Sequence, residues 1–145
     1  MKIWKQDFTL EGLDNMSANT LVETFDIKFT DFGDDYLVAA MPVTHKNVQP
    51  MRILHGGASV ALAETVGSIA SVLCLTDPVA YQPVGLDINA NHLRSVREGG
   101  KVFAKVSPIH IGKKTHVWHI DITNEDGALT CVSRLTMMIR KNRSL

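Results

Sequence analysis

A single carboxylate, Glu64, stands in the apolar run from Ala58 to Leu75, which holds no Lys or Arg. His55, Gly56 and Gly57 come directly before that run. An unpaired charge in a dry site is costly, so Glu64 must be protonated, paired or bound to a polar ligand. The ordinary alternative is a satisfied core Glu bonded to a hydroxyl one turn on, such as Ser68. Glycines at a helix mouth allow a tight turn, and the first-turn amides, which no helical carbonyl satisfies, point outward. With the helix dipole behind them, such amides suit an oxygen that develops negative charge. Gln49 and His55 flank the mouth and can add side-chain donors. A Gly-rich turn beside a surface His is the plainer reading of the same residues.

Spacing separates the two halves of this candidate site. Gly56 and Glu64 are eight positions apart, which is about 12 Å along a helix at roughly 1.5 Å per residue. A carbonyl held at the Gly56 amide is therefore out of reach of Glu64 on the same chain. Two copies of the helix crossing antiparallel would bring each Glu64 to the other mouth. Leu62, Val66, Ile69 and Leu73 form the stripe expected to pack on a sheet. Gly57, Ala61, Glu64, Gly67, Ser68 and Ser71 form a second face of small residues plus the carboxylate. The expectation is a homodimer, covering that second face, with amides from one subunit and the base from the other.

Basic residues supply a third group. "NHLRSV" (Asn91 to Val96) and "HIGKKT" (His110 to Thr115) offer cations and main-chain amides to an anion, as phosphate requires. A Lys pair in a hairpin is more often simply solvated. A further cluster falls at Arg140, Lys141 and Arg143. There is no G-x-G-x-x-G, Walker A loop or G-x-S-x-G elbow. Neither Cys74 nor Cys131 has a C-x-x-C partner, and no H-E-x-x-H occurs. His116 and His119 are three apart on a strand and point to opposite faces, so no metal centre is expected.

The 15 acidic and 15 basic residues cancel, so no global field favours nucleic acid or an anionic membrane. Two cysteines do not make a disulfide framework and read as reduced, buried thiols of a cytoplasmic protein. "MKIWKQDFTLEG" has no uninterrupted apolar core of a signal peptide. Ala58 to Leu75 is just long enough to be screened as a membrane span. Glu64, Gly67, four hydroxyl residues and missing aromatic anchors make it a buried core helix instead.

The elements that must position these residues follow from pattern. "TLEGLDNM" reads as one short helix capped by Thr9. "VETFDIKFTDF" alternates Phe25, Ile27 and Phe29 as a half-buried strand. Gly33 to Asp35 turn the chain into "YLVAAMPV", a second strand closed by Pro42. After the apolar helix come "PVGLDINANHL", "KVFAKVSPIHI", "THVWHIDITN" and "ALTCVSRLTMMI", separated by "REGG", "GKK" and "EDG". Such short breaks imply antiparallel neighbours, hence a four-strand meander. No repeat or linker divides residues 1–145, which read as a single domain.

"LHGGASVALAET", "GLDINANHLRSV" and "FGDDYL", in that strand order, resemble the hotdog-fold acyl-CoA thioesterases over nearly the whole chain. More narrowly they resemble the branch that hydrolyses aroyl-CoA thioesters. The resemblance implies an α+β hotdog fold, an antiparallel six-stranded sheet wrapped around one central helix of residues 56–75. It implies hydrolysis of an aroyl-CoA, of the 1,4-dihydroxy-2-naphthoyl or benzoyl type, to the free acid and CoA, in the setting of menaquinone synthesis. No cofactor is implied, because coenzyme A is part of the substrate. An acyl-carrier-protein thioester presents the same pantetheine arm.

Glu64 matches the family's catalytic carboxylate, as nucleophile or as base for water, and Gly56 matches the amide that polarises the thioester carbonyl. Gln49 and His55 match residues lining that carbonyl and the leaving group, and Ser68 a hydroxyl near the carboxylate. Gly85, the segment His92, Leu93, Arg94 and Ser95, and the segment His110, Ile111, Gly112, Lys113, Lys114 and Thr115 match positions that hold the CoA arm and nucleotide. The family's usual assembly is a homotetramer, a dimer of dimers. Leu93 stands where a second histidine is expected, Gly99-Gly100 makes the turn one residue longer, and "RKNRSL" has no counterpart. Two rivals remain: a hotdog dehydratase, whose glycine-proline-rich helix mouth "HGGASVALAET" does not match, and a non-catalytic acyl-CoA binder.

Overall fold

The structure, a computed structural model, describes residues 1–142, so Arg143 and the end of the basic tail lie outside the described residues. Helix α1, Leu10–Met16, starts where the Thr9 side chain accepts the Gly12 amide at 3.0 Å. A second short helix, α2 (Leu21–Thr24), was not expected from the alternating pattern. It takes the first residues of the stretch read as a strand, and β1 is shortened to Lys28–Phe32. Local caps outweigh the alternation here. Thr20 accepts from the Val22 amide, and the Glu23 carboxylate reaches back to the Asn19 amide at 2.6 Å, a reciprocal cap around one turn. Ile27 and Phe29 still face the core, whereas Phe25 is only half-buried.

Strand β2 (Leu37–Pro42) is followed by α3 (Gly56–Leu73), then β3 (Tyr81–His92), β4 (Lys101–Ile111), β5 (Thr115–Asn124) and β6 (Leu129–Lys141). The six strands form one antiparallel sheet in the order β1-β2-β4-β5-β6-β3. The expected meander therefore covers only β4, β5 and β6. Strand β3 pairs with β6 along Tyr81↔Lys141 to His92↔Cys131, and β4 pairs with β2 instead. The break "REGG" is a crossing segment, not a hairpin turn. Its backbone bonds to the loop before α3, through Glu98 N–H to Arg52 O at 3.1 Å and Gly99 N–H to Val43 O at 2.8 Å. Those partners draw it across the mouth of the helix and leave β3 at the sheet's edge.

Alternate residues of β5 and β6 line the core, with Trp118, Ile120, Ile122, Leu135 and Met137 all buried. Against them lies α3, whose buried side includes Leu62, Ala63, Val66, Gly67, Ala70 and Ser71. Three assignments of the helix faces change. Gly67 and Ser71, expected on the outer face, lie against the sheet, and Ile69, expected on the sheet side, is only half-buried. A methyl group at Gly67 would stand 2.5 Å from Leu135 Cδ2, so this glycine lets the helix settle onto β6. Ser71 Oγ accepts from Trp118 Nε1 at 2.7 Å and lies 3.1 Å from His116 Nδ1. The stripe is thus wider than four large residues indicated. The same helix is long and apolar enough to cross a bilayer, and half of it is buried inside the fold.

Candidate active site

The sequence-predicted site residues fall at three stations along α3. The first is its N-terminal mouth. His55 is the N-cap, and its Nδ1 accepts the Gly57 amide at 2.8 Å. That ring nitrogen carries no proton, so in the neutral ring Nε2 is a donor. The His55 carbonyl takes the amides of Ala58 (2.9 Å) and Ser59 (3.2 Å). Among the described residues, the Gly56 N–H is the first-turn amide left without a partner. The chemistry expected of "HGG" is therefore concentrated in one N–H.

The mouth opens into a pocket of about 360 Å³ lined by Gln49, Gly56, Ser59, His92, Arg94 and Ser95, with Leu93 and Thr130 beside them. A methyl group at Gly56 would stand 2.9 Å from His92 Nε2, so the imidazole lies directly over the bare Cα. Gln49 is held by a turn of its own residues. Its carbonyl accepts the Arg52 amide at 2.9 Å, its amide donates to Ile53 O at 3.0 Å, and its side-chain Oε1 accepts the Met51 N–H. With that oxygen occupied, the Gln49 NH2 is the end without a partner among the described residues, a candidate second donor on a residue that lines the Gly56 pocket. Leu93 and Arg94 hang from the Thr130 carbonyl through their amides, at 2.8 and 3.3 Å. Thr130 went unnoticed in the sequence, where nothing marks a strand threonine as the anchor of a distant loop.

The second station is the middle of the helix. Glu64 is half-buried and lines a separate, mostly apolar pocket of about 420 Å³ with Ala61, Ser68, Ile69 and the α2 residues Leu21 and Val22. A methyl group at Gly85 would stand 2.5 Å from Glu64 Oε1, so the glycine of β3 makes room for the carboxylate against the edge strand. Ser68 does not bond to Glu64; its hydroxyl turns to Met137 Sδ at 3.9 Å. The third station is the C-terminal end. There Ile111, Gly112 and Lys113 line a pocket of about 490 Å³ with Cys74, Leu75, Asp77 and His116. His110, Lys114 and Thr115 belong to the same hairpin, closed by Gly112 N–H to Thr115 O at 2.9 Å. One chain thus separates the amide, the carboxylate and the basic hairpin.

Both thiols are free and buried, and burial pushes Cys74 up to about 12 and raises Cys131 as well. Neither is a ready nucleophile. His116 is buried and His119 lies on the other face, 2.9 Å from Asp121. Among the described residues no three His, Cys, Asp or Glu side chains gather as a metal site.

An antiparallel sheet wrapped around one helix with a glycine mouth is the hotdog arrangement, and the thioesterase superfamily model matches residues 51–131. The chain belongs to that superfamily and is a thioester hydrolase. It is 49% identical over 137 residues to the 1,4-dihydroxy-2-naphthoyl-CoA hydrolase of Escherichia coli, covering 94% of this chain and 98% of that one. To the proofreading thioesterase EntH of Cronobacter turicensis it is 44% identical, over 94% of this chain and 98% of that one. A crystal structure of a Haemophilus influenzae thioesterase superposes with a TM-score of 0.91 at 50% identity, covering 96% of this chain and 95% of that one.

Proposed function

We propose that the protein hydrolyses an aroyl-CoA thioester, of the dihydroxynaphthoyl or benzoyl type, to the acid and CoA. The single observation that carries the mechanism is the Gly56 N–H left without a partner at the mouth of α3, in a pocket that Gln49 also lines. The Gly56 N–H, backed by the helix dipole and joined by the Gln49 side chain as second donor, favours the oxyanion that forms as the thioester carbonyl is attacked. Glu64 supplies the other half, either activating water or attacking the carbonyl so that the C–S bond breaks, CoA leaves as the thiolate, and water then opens the mixed anhydride. It comes from a second copy of the chain, because its own mouth lies about 12 Å away at roughly 1.5 Å per helical residue. The segment His92 to Ser95 and the hairpin His110 to Thr115, with Gly85, hold the CoA arm and nucleotide. The reaction needs no metal and no organic cofactor.

The aroyl preference is supported by the similarity to the Escherichia coli hydrolase and by the mostly apolar pocket in which Glu64 sits. The test is thiol release from dihydroxynaphthoyl-, benzoyl-, phenylacetyl- and medium-chain acyl-CoA, and from one acyl-carrier-protein thioester, by the wild type and Glu64→Ala. Aroyl-CoA esters should turn over fastest, and Glu64→Ala should be inactive with an unchanged circular-dichroism spectrum. A Glu64→Ala protein that hydrolyses them at near wild-type rate would overturn the mechanism. Equal rates on all acyl groups would overturn the aroyl preference alone.

A further inference from the structure

Residue 52 combines two features that rarely coincide. Its φ of 60° lies in the left-handed region, yet it is an arginine, a residue that pays a steric cost there which glycine would not. The guanidinium is committed: Nε and Nη2 donate to one oxygen of Glu98, at 2.8 and 2.6 Å. The same two residues are joined again by their backbones, Glu98 N–H to Arg52 O at 3.1 Å. Behind this double link, Ile53 bridges to Arg97 and Leu54 N–H bonds to Val96 O at 2.8 Å. Arg52 also donates its own amide to the Gln49 carbonyl, so it stands at the corner of the turn that orients Gln49. One arm of the Gly56 pocket, Gln49 to Leu54, is therefore tied to the other, His92 to Val96, at a point outside the pocket itself.

We propose that Arg52 is a positioning residue: gripped by Glu98, it holds the turn that aims the Gln49 amide at the thioester carbonyl beside Gly56. This rests on the reading of Gln49 and Gly56 as the carbonyl-polarising donors. The pair is half-exposed, with side chains 56% and 35% accessible, so it contributes little to global stability. Its effect is geometric, since an oxyanion donor displaced by about 1 Å loses much of its value.

The experiment is a double-mutant cycle on the full-length protein, with thiol release from benzoyl-CoA as the readout. Glu98→Gln and Arg52→Asn, the latter a residue that tolerates left-handed backbone, should each lower kcat several-fold. KM should change less than about twofold and the melting temperature by no more than a few degrees. In a Gln49→Ala background the same two substitutions should cost nothing further, because the group they position is gone. Charge exchange, Arg52→Glu with Glu98→Arg, should recover part of the lost kcat. Full kcat in the single variants, or an equal loss with and without Gln49, would overturn the proposal. If instead Gln49→Ala itself leaves kcat unchanged, the reading of Gln49 as a donor fails, and that outcome is separate from a failure of the Arg52 link.

Discussion

At the scale of single residues, the site turns on one hydrogen. Gly56 is the first residue of α3, and His55 before it has φ −67° and ψ 132°, a conformation that a following proline accepts. Proline is well tolerated at the first helical position, because the N–H it lacks has no helical partner there. Gly56→Pro thus removes the proposed donor while the helix still starts. It should lower kcat by about 10²–10³-fold, the usual loss for one oxyanion donor. Gly56→Ala is the control. Its methyl also meets His92 Nε2 at 2.9 Å, but the amide remains. Thiol-release rates for both, alongside circular dichroism, separate the donor from the crowding; equal losses would show that only the displaced imidazole matters. The type and spacing of Gly56, His55 and Glu64 were legible in the sequence. The turn that holds Gln49 was not, because it runs through a left-handed Arg52, and an arginine gives no signal for one.

At the scale of elements, α3 is fitted to the sheet by its smallest residues. Gly67→Ala places a methyl 2.5 Å from Leu135 Cδ2. The side chain must move or the helix must lift, and we expect a loss of about 1–3 kcal/mol in urea unfolding. A variant as stable as the wild type would show that α3 does not sit that close to β6. His116 adds a pH dependence. Burial lowers its pKa below the usual 6.5, with nearby His110 acting in the same direction and the Gly112 backbone opposing. The unfolded chain then binds more protons than the folded one between the lowered value and 6.5, so stability is full above 6.5 and falls as pH drops through that window. Unfolding midpoints across this range should show the fall in the wild type and a shallower one in His116→Gln; equal slopes would assign the acid sensitivity elsewhere. The helical period identified α3, but it misplaced Gly67 and Ser71, because a helix cradled by a curved sheet buries more than a four-residue stripe. The strands were legible from alternation and turn residues. Their order was not, since loop length alone cannot reveal that Val96, Glu98 and Gly99 bond to the loop before α3.

At the scale of the whole molecule, the decisive feature is what one chain leaves open. Strand β3 is a 12-residue edge with Leu86 61% exposed, a template for a further strand unless something covers it. Glu64 lies against Gly85 of that strand, while the Gly56 mouth opens two turns away. If two copies share their sites, each site takes Gly56 from one chain and Glu64 from the other. Glu64→Ala is expected to be inactive alone and Gly56→Pro slower by about 10²–10³-fold, for different halves of the site. In a mixed dimer the intact Gly56 of one chain meets the intact Glu64 of the other, and one of the two sites is whole. Random pairing of equal amounts yields mixed dimers half the time, so about a quarter of wild-type activity should return. The two variants are co-expressed with different tags, purified through both, and assayed for thiol release on benzoyl-CoA; the doubly tagged fraction should carry about half the wild-type activity per dimer. Recovery demands that the halves lie on different chains, since no pairing can repair a site built within one. A doubly tagged dimer no more active than its parents would place Gly56 and Glu64 in the same subunit's site.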